Sequence, residues 1–172
     1  TILMQFLNWM SFGVDGFAYA AESLVGKYTG ANQPATTRKT IQLSMYWGMA
    51  LAVCFSLVYG IFGVNLVHLF TDQASLIEAA SRYLWWMVLL PIIGTPSYIL
   101  DGIFVGLTAV KSMRNSMLIA LLAYFASYFL LSYFYADPAF LSNVLWLSLI
   151  IFLAVRGIIQ WLLYKRMGLD LK

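Results

Sequence analysis

Residues 83–110 read YLWWMVLLPIIGTPSYILDGIFVGLTAV, and Asp101 is the only charged residue among them. About 20 consecutive apolar residues suffice to cross a bilayer as an α-helix, so this stretch predicts a transmembrane helix. An acid at the centre of such a helix costs roughly 2.5 to 3.5 kcal/mol on insertion scales, and such residues usually face a cavity or an ion path. The stretch therefore indicates a membrane protein and makes Asp101 the first candidate for function.

The composition of the whole chain is that of a membrane protein. Hydrophobic residues make up 62% of the 172 residues and charged residues 10%, whereas about 25% are charged in a typical soluble domain. The net charge is +3, but the basic residues lie at predicted helix ends and form no patch, so a membrane explains them better than a nucleic acid partner. Cys54 is the only cysteine and is expected to be a packing residue.

The apolar stretches predict an all-α membrane fold with five transmembrane helices in a single unit, residues 1–172. The helices are expected at about residues 2–25, 40–67, 82–110, 116–135 and 140–164. The run that begins at Ile2 lacks a basic leader and a small-residue cleavage site, so it is expected to be a mature helix rather than a signal peptide. We therefore expect the chain to be a fragment of a longer protein.

Polar segments between the apolar stretches predict the connections. Gly26–Lys39 is expected to be a polar loop, because it is rich in Gly, Thr and Asn and contains Pro34. Asp72–Ser81 is expected to be a short amphipathic segment, capped by Thr71 or Asp72. A tight turn is predicted at Asp137-Pro138.

The basic residues predict how the chain is oriented in the membrane. If the first helix ends on the cytoplasmic side, eight basic residues lie on that side, whereas only Arg82 lies outside and Arg156 is embedded. The eight are Lys27, Arg38, Lys39, Lys111, Arg114, Lys165, Arg166 and Lys172. This excess agrees with the positive-inside rule, and it predicts a multi-pass membrane protein whose first helix ends on the cytoplasmic side.

A line of polar residues runs along the first helix. Asn8, Asp15 and Glu22 are spaced by seven residues, so they share one helix face, which Ser11 and Tyr19 flank. Such a face in a membrane needs a water-filled or protein-lined neighbour, and we interpret it as the lining of a cavity. The alternatives are hydrogen bonding between helices and, for Glu22, a place at the inner interface near Lys27.

Asp101 lies near the middle of the bilayer. It precedes Lys111 by ten residues, which is about 15 Å along a helix and half of a roughly 30 Å hydrocarbon core. Burial favours the neutral carboxyl and a nearby cation favours the charged one, so such a group can exchange a proton or hold Na⁺. The alternative is a structural ion pair with Arg156, for which an embedded acid, Asp101 or Asp15, is the expected partner.

Other residues give weaker indications. Pro91 and Pro96 each remove a helical hydrogen bond, which indicates either a broken helix of the kind that transporters use or an ordinary kink. His68 is the only histidine, so the sequence offers no Ser-His-Asp set and no zinc site. We therefore expect neither enzymatic activity nor a cofactor.

Three stretches resemble one family of membrane proteins. They are DGFAYAAESLVG at residues 15–26, LDGIFVG at 100–106 and AVRG at 154–157. They resemble the multidrug and toxic compound extrusion (MATE) family, in the branch of DNA-damage-inducible protein F. The stretches occur in the family's order and span almost the whole chain.

The resemblance implies twelve helices in two six-helix lobes, of which this chain forms part of the second lobe, helices eight to twelve. It implies export of cationic or amphipathic organic compounds in exchange for H⁺ or Na⁺, with the missing N-terminal lobe as a partner. In some branches an acid of the tenth helix helps to bind the coupling cation, and by position that acid is Asp101. In other branches the essential acid lies in the first helix, which this chain lacks.

With this resemblance, we expect a secondary antiporter, a multi-pass protein of a bacterial inner membrane. Asp101, Asp15 and Glu22 are the candidates for cation coupling, with Arg156 as charge partner; Na⁺ at Asp101 is the one metal ion considered. The candidates for lining a substrate cavity are Asn8, Ser11, Tyr19 and Tyr98. The alternatives are a lipid-linked oligosaccharide flippase of the same superfamily, which is expected to have a cationic cavity, and a membrane scaffold that does not transport.

Overall fold

A computed structural model describes residues 2–134 and 138–167, and these residues fold into six α-helices. They are α1 (Ile2–Gly30), α2 (Pro34–His68), α3 (Ala74–Ser81), α4 (Leu84–Gly106), α5 (Val110–Phe134) and α6 (Pro138–Arg166). The all-α prediction is confirmed, although most helix ends differ from those expected. The predicted turn at Asp137-Pro138 lies partly outside the described residues, because Asp137 is not described and Pro138 begins α6.

The helix that carries Asp101 is continuous. α4 runs through Pro91 and Pro96 without a break, so the interpretation as a broken helix was wrong. The hydroxyl group of Ser97 donates to the backbone oxygen of Gly94 at 2.8 Å, within the helix between Pro91 and Asp101. The helix ends at Gly106 rather than at residue 110, because Thr108 adopts a left-handed conformation with φ of 57°.

The predicted polar loop between the first two long helices was also wrong. α1 extends to Gly30 and α2 already begins at Pro34, so only residues 31–33 connect them. Proline is well tolerated in the first helical turn, where its missing N–H has no partner to lose. Asn32 makes the reversal with φ of 52°, a conformation that asparagine adopts more readily than most residues.

The short helix α3 agrees with the amphipathic segment predicted at Asp72–Ser81, but its cap was predicted one or two residues too early. Gln73 is the N-cap, and its side chain makes no capping hydrogen bond. The hydroxyl of Thr71 instead accepts the Gln73 N–H at 3.2 Å. The exposed side chain of Glu78 pairs with Arg82 at 2.7 Å near the end of this helix.

α4 lies at the centre of the bundle and packs against α1, α2 and α6. The neighbours alternate in direction. Gly26, near the end of α1, lies next to Gly106 at the end of α4, so these two helices run parallel. Gly63, near the end of α2, lies next to Leu84 at the start of α4, so α2 runs antiparallel to α4. Between α1 and α2, the Tyr59 hydroxyl donates to the backbone oxygen of Phe6 at 2.7 Å, with both side chains buried.

This alternation brings most of the basic residues to one end of the bundle, where α1, α4 and α6 end and α2 and α5 begin. Lys27, Arg38, Lys39, Lys111, Arg114, Lys165 and Arg166 belong to these helix ends. Lys172 lies outside the described residues. The Glu78–Arg82 pair lies at the opposite end, next to the start of α4.

Four helices of the described part are long and apolar enough to cross a membrane, whereas five were predicted. They are α2, α4, α5 and residues 140–166 of α6. α1 is long enough, but the polar residues along it, such as Gln5, Asn8 and Asp15, lower its hydropathy. The chain is therefore an all-α, multi-pass membrane protein. Length and hydropathy identify four spans rather than five, because α1 is not apolar enough to be counted.

Candidate functional site

The Asp101 carboxylate is held from α6 at both of its oxygens. The guanidinium group of Arg156 donates from Nη2 to Oδ2 and forms an ion pair with the acid. The amide group of Gln160 donates from Nε2 to Oδ1 at 2.6 Å. Both donors reach the same acid because residues 156 and 160 are one helical turn apart on a single face.

This cluster lies inside the bundle. The side chains of Arg156 and Asp101 are 11% and 19% exposed, and Gln160 is fully buried. The guanidinium carbon of Arg156 also lies 6.0 Å from the centre of the Phe152 ring. A charge removed from water in this way needs a partner, and removing one member leaves the other uncompensated.

The sequence allowed two acids as partners of Arg156, and the structure pairs it with Asp101 rather than Asp15. Gln160 was missed altogether. Its signal was a polar amide four residues after Arg156, between the apolar residues Ile159 and Trp161, since such a residue is expensive in hydrocarbon unless it faces a partner.

A narrow cleft of about 220 Å³ opens next to the cluster, between α1 and α4. Asp15, Glu22 and Asp101 line it, and no basic residue belongs to its described lining. Asp15 and Glu22 face it together because they are spaced by two helical turns. The cleft therefore presents three carboxylates, of which only Asp101 is paired within the described part of the chain.

The four residues expected to line a cavity are not all found in this cleft. Tyr19 and Tyr98 line it, one from each helix. Ser11 lies outside the lining, but its hydroxyl donates to the Tyr98 hydroxyl oxygen at 3.4 Å. Asn8 is exposed and does not line the cleft, because it lies two helical turns beyond Asp15, towards the start of α1.

The family model described as MatE matches residues 1–119, which include all of α1 to α4 and the acids of the cleft. The chain belongs to the MatE family. It is also 33% identical over 165 residues to DNA damage-inducible protein F of Escherichia coli strain K12, a match that covers 96% of this chain and 35% of the relative. No solved structure matches the chain. These findings confirm the family resemblance, and the chain spans about a third of the length of this curated relative.

The cleft of this MatE chain depends on glycines that bring two helices together. A Cβ atom on Gly102 would lie 2.1 Å from the backbone oxygen of Ala18, and one on Gly106 would lie 2.7 Å from that of Glu22. The two glycines are four residues apart, the spacing that allows close approach of membrane helices. This GxxxG pattern is visible in the sequence, but the pattern alone does not identify the helix that packs against it.

Asp101 of this MatE chain is poorly placed to bind Na⁺ directly. Its two carboxylate oxygens already accept hydrogen bonds from Arg156 and Gln160. Among the described residues, no group of three or more His, Cys, Asp or Glu side chains is arranged to hold a metal ion. An ion entering at Asp101 must therefore compete with Arg156, whereas Asp15 and Glu22 face the cleft directly.

Proposed function

We propose that this chain is part of the second six-helix lobe of a secondary antiporter in a bacterial inner membrane. The intact protein would export organic compounds, often cationic or amphipathic, in exchange for H⁺ or Na⁺. The observation that supports this best is the Asp101–Arg156 pair, which lies inside a membrane bundle and borders a cleft lined by two further acids. Embedded charges of this kind are costly and typically mark ion or substrate pathways.

Three acids against one embedded cation provide a means of coupling. Arg156 neutralises Asp101, while Asp15 and Glu22 leave the cleft with excess negative charge that favours an entering cation. Protonation of Asp101 removes the charge that holds Arg156, and the guanidinium group must then find another acid. Cation occupancy of the cleft and the strength of the Asp101–Arg156 ion pair are therefore linked. Transport follows if both the occupancy and the ion pair differ between the inward-open and outward-open states.

The same charges argue against the flippase alternative. A carrier of anionic lipid-linked sugars is expected to have a cationic cavity, whereas acids line the described cleft and Arg156 is already paired. A scaffold that does not transport has no use for three acids that line one cleft of a membrane bundle. We propose neither catalysis nor a cofactor. Besides the organic substrate, transport would involve only the coupling ion.

Proteoliposomes of the full-length protein test the proposal. They would be loaded with a fluorescent organic cation and given a pH or Na⁺ gradient, and we expect gradient-driven flux. Asp101→Asn and Asp15→Asn should each reduce this flux at least tenfold. Glu78→Gln is the matched control, because this acid is exposed and lies at the opposite end of the bundle. Undiminished flux in both variants would refute coupling through these carboxylates.

A further inference from the structure

The face of the bundle opposite the acid cleft carries an apolar groove of about 460 Å³ between α2, α4 and α6. Met45, Pro96 and Trp161 line it, one from each helix. Pro96 and Tyr98 are two residues apart, so their side chains point about 200° apart around α4. The groove and the cleft are therefore separate features on opposite sides of the same helix.

Small residues leave room for this groove. Gly157 of α6 lies beside α4, and a Cβ atom at this position would be 3.9 Å from the Cβ of Pro96. Ala154, one turn earlier, also lines the groove. The groove therefore has almost no polar surface. At the depth of the hydrocarbon core, such a groove suits a flexible aliphatic chain.

Two cations lie beyond the groove on two of the helices that form it, α2 and α6, towards the basic end of the bundle. Arg38 precedes Met45 by seven residues, which places it on the same face of α2. Lys165 follows Trp161 by one turn of α6, and its Nζ lies 5.4 Å from the centre of the Trp161 ring. Both side chains are exposed, and neither forms an ion pair with an acid of the described residues.

We propose that this groove binds an anionic phospholipid of the bilayer. One acyl chain lies along Pro96 and Gly157, and the phosphate group is held by Arg38 and Lys165. The apolar walls match the acyl chain, and the two cations match the negative headgroup at the membrane surface. A zwitterionic lipid fits the same walls, but its headgroup gains less from the cations. This site does not depend on transport activity.

Native mass spectrometry of the full-length protein tests this site. The protein would be released from mixed vesicles of phosphatidylglycerol and phosphatidylcholine with identical acyl chains, and we expect phosphatidylglycerol to be retained preferentially. Juxtamembrane cations each favour an anionic surface, so Arg38→Gln with Lys165→Gln should lower this preference about fivefold for each cation removed. Ala154→Phe, which fills the groove while keeping both charges, should lower the retention of both lipids.

Lys111→Gln with Arg114→Gln is the matched control. It removes two cations from the same end of the bundle, but these lie on α5, a helix that contributes no residue to the groove. We expect the control to keep the lipid preference. An equal loss in the control, an unchanged preference in the Arg38/Lys165 variant, or equal retention of the two lipids by the unaltered protein would overturn the proposal.

Discussion

The backbone oxygen of Ala18 lies 2.1 Å from the point that a Cβ atom would occupy on Gly102. Real Cβ atoms essentially never come within 3.0 Å of another heavy atom, so only glycine allows this crossing of α1 and α4. The contact is between backbones, which cannot move aside as a flexible side chain can. It therefore fixes the distance between the helices that carry Asp15 and Asp101.

Gly102→Ala is predicted to destabilise the bundle, because the added methyl group forces α1 and α4 apart. Overpacking of this kind costs about 1–3 kcal/mol. Unfolding by SDS in mixed micelles measures the change in free energy. Gly16→Ala is the control, since no atom other than those of its chain neighbours and its own helix backbone lies within 4 Å of the added Cβ, and it should leave stability unchanged or slightly higher. Equal stabilities of the two variants would mean that the crossing is looser than described.

Tyr59→Phe is predicted to weaken the contact between α1 and α2. The substitution keeps the buried ring and removes only the hydroxyl that donates to the Phe6 backbone oxygen at 2.7 Å. Hydrogen bonds between membrane helices contribute about 0.6 kcal/mol on average. The same SDS titration should detect this loss, while Tyr133→Phe, which alters a ring that is 83% exposed, should show none. A variant as stable as the original chain would indicate that the hydroxyl finds another acceptor.

Arg156→Gln is predicted to be strongly destabilising, by about 3–5 kcal/mol, because it leaves the Asp101 carboxylate buried without a cation. The double variant Arg156→Gln/Asp101→Asn removes both charges and should recover most of that loss. Unfolding free energies of the two single variants and the double variant form a double-mutant cycle that isolates the coupling. Glu78 and Arg82 form the reference pair, and their coupling should be within about 1 kcal/mol because both are exposed. Simple additivity at Asp101 and Arg156 would contradict the ion pair.

The sequence predicted the long helices but not their register against one another. Long apolar stretches identify membrane helices because length and composition suffice for that assignment. The partner of Arg156 was left open between Asp101 and Asp15, because that choice depends on where α4 and α6 touch. Pro34 was read as part of a loop, although proline also suits a first helical turn.

The close contact at Gly102 illustrates the same limit. A GxxxG spacing indicates that some helix approaches, but it does not identify that helix or the residues opposite. Gln160 could have been found from its polarity alone, whereas its hydrogen bond to Asp101 depends on the packing of two helices distant in sequence. The polar residues of α1 also depend on helix packing. Asp15 and Glu22 lower the hydropathy of α1, and they are tolerated because they face a cleft rather than lipid.

Cys54 was expected to be a packing residue, but it is exposed on the surface of α2, and we predict that it is unreactive in intact membranes. Its exposed neighbours along the helix are apolar, among them Val53, Leu57 and Ile61, so this face is expected to contact lipid. A charged reagent stays in water, because hydrocarbon excludes charged groups. A charged maleimide should therefore label Cys54 only after unfolding in SDS, in full-length protein whose cysteines outside this chain are replaced by alanine.

Gln33→Cys in a Cys54→Ala background is the matched control for this labelling. Gln33 is exposed in the short connection between α1 and α2, at the end of the bundle where the basic residues gather, and should react in permeabilised membranes without unfolding. The reagent reaches this connection from water, whereas lipid is expected to cover the middle of α2. Rapid labelling of native Cys54 would instead place a water-filled space against this face of α2, and the lipid-facing surface would have to be reassigned.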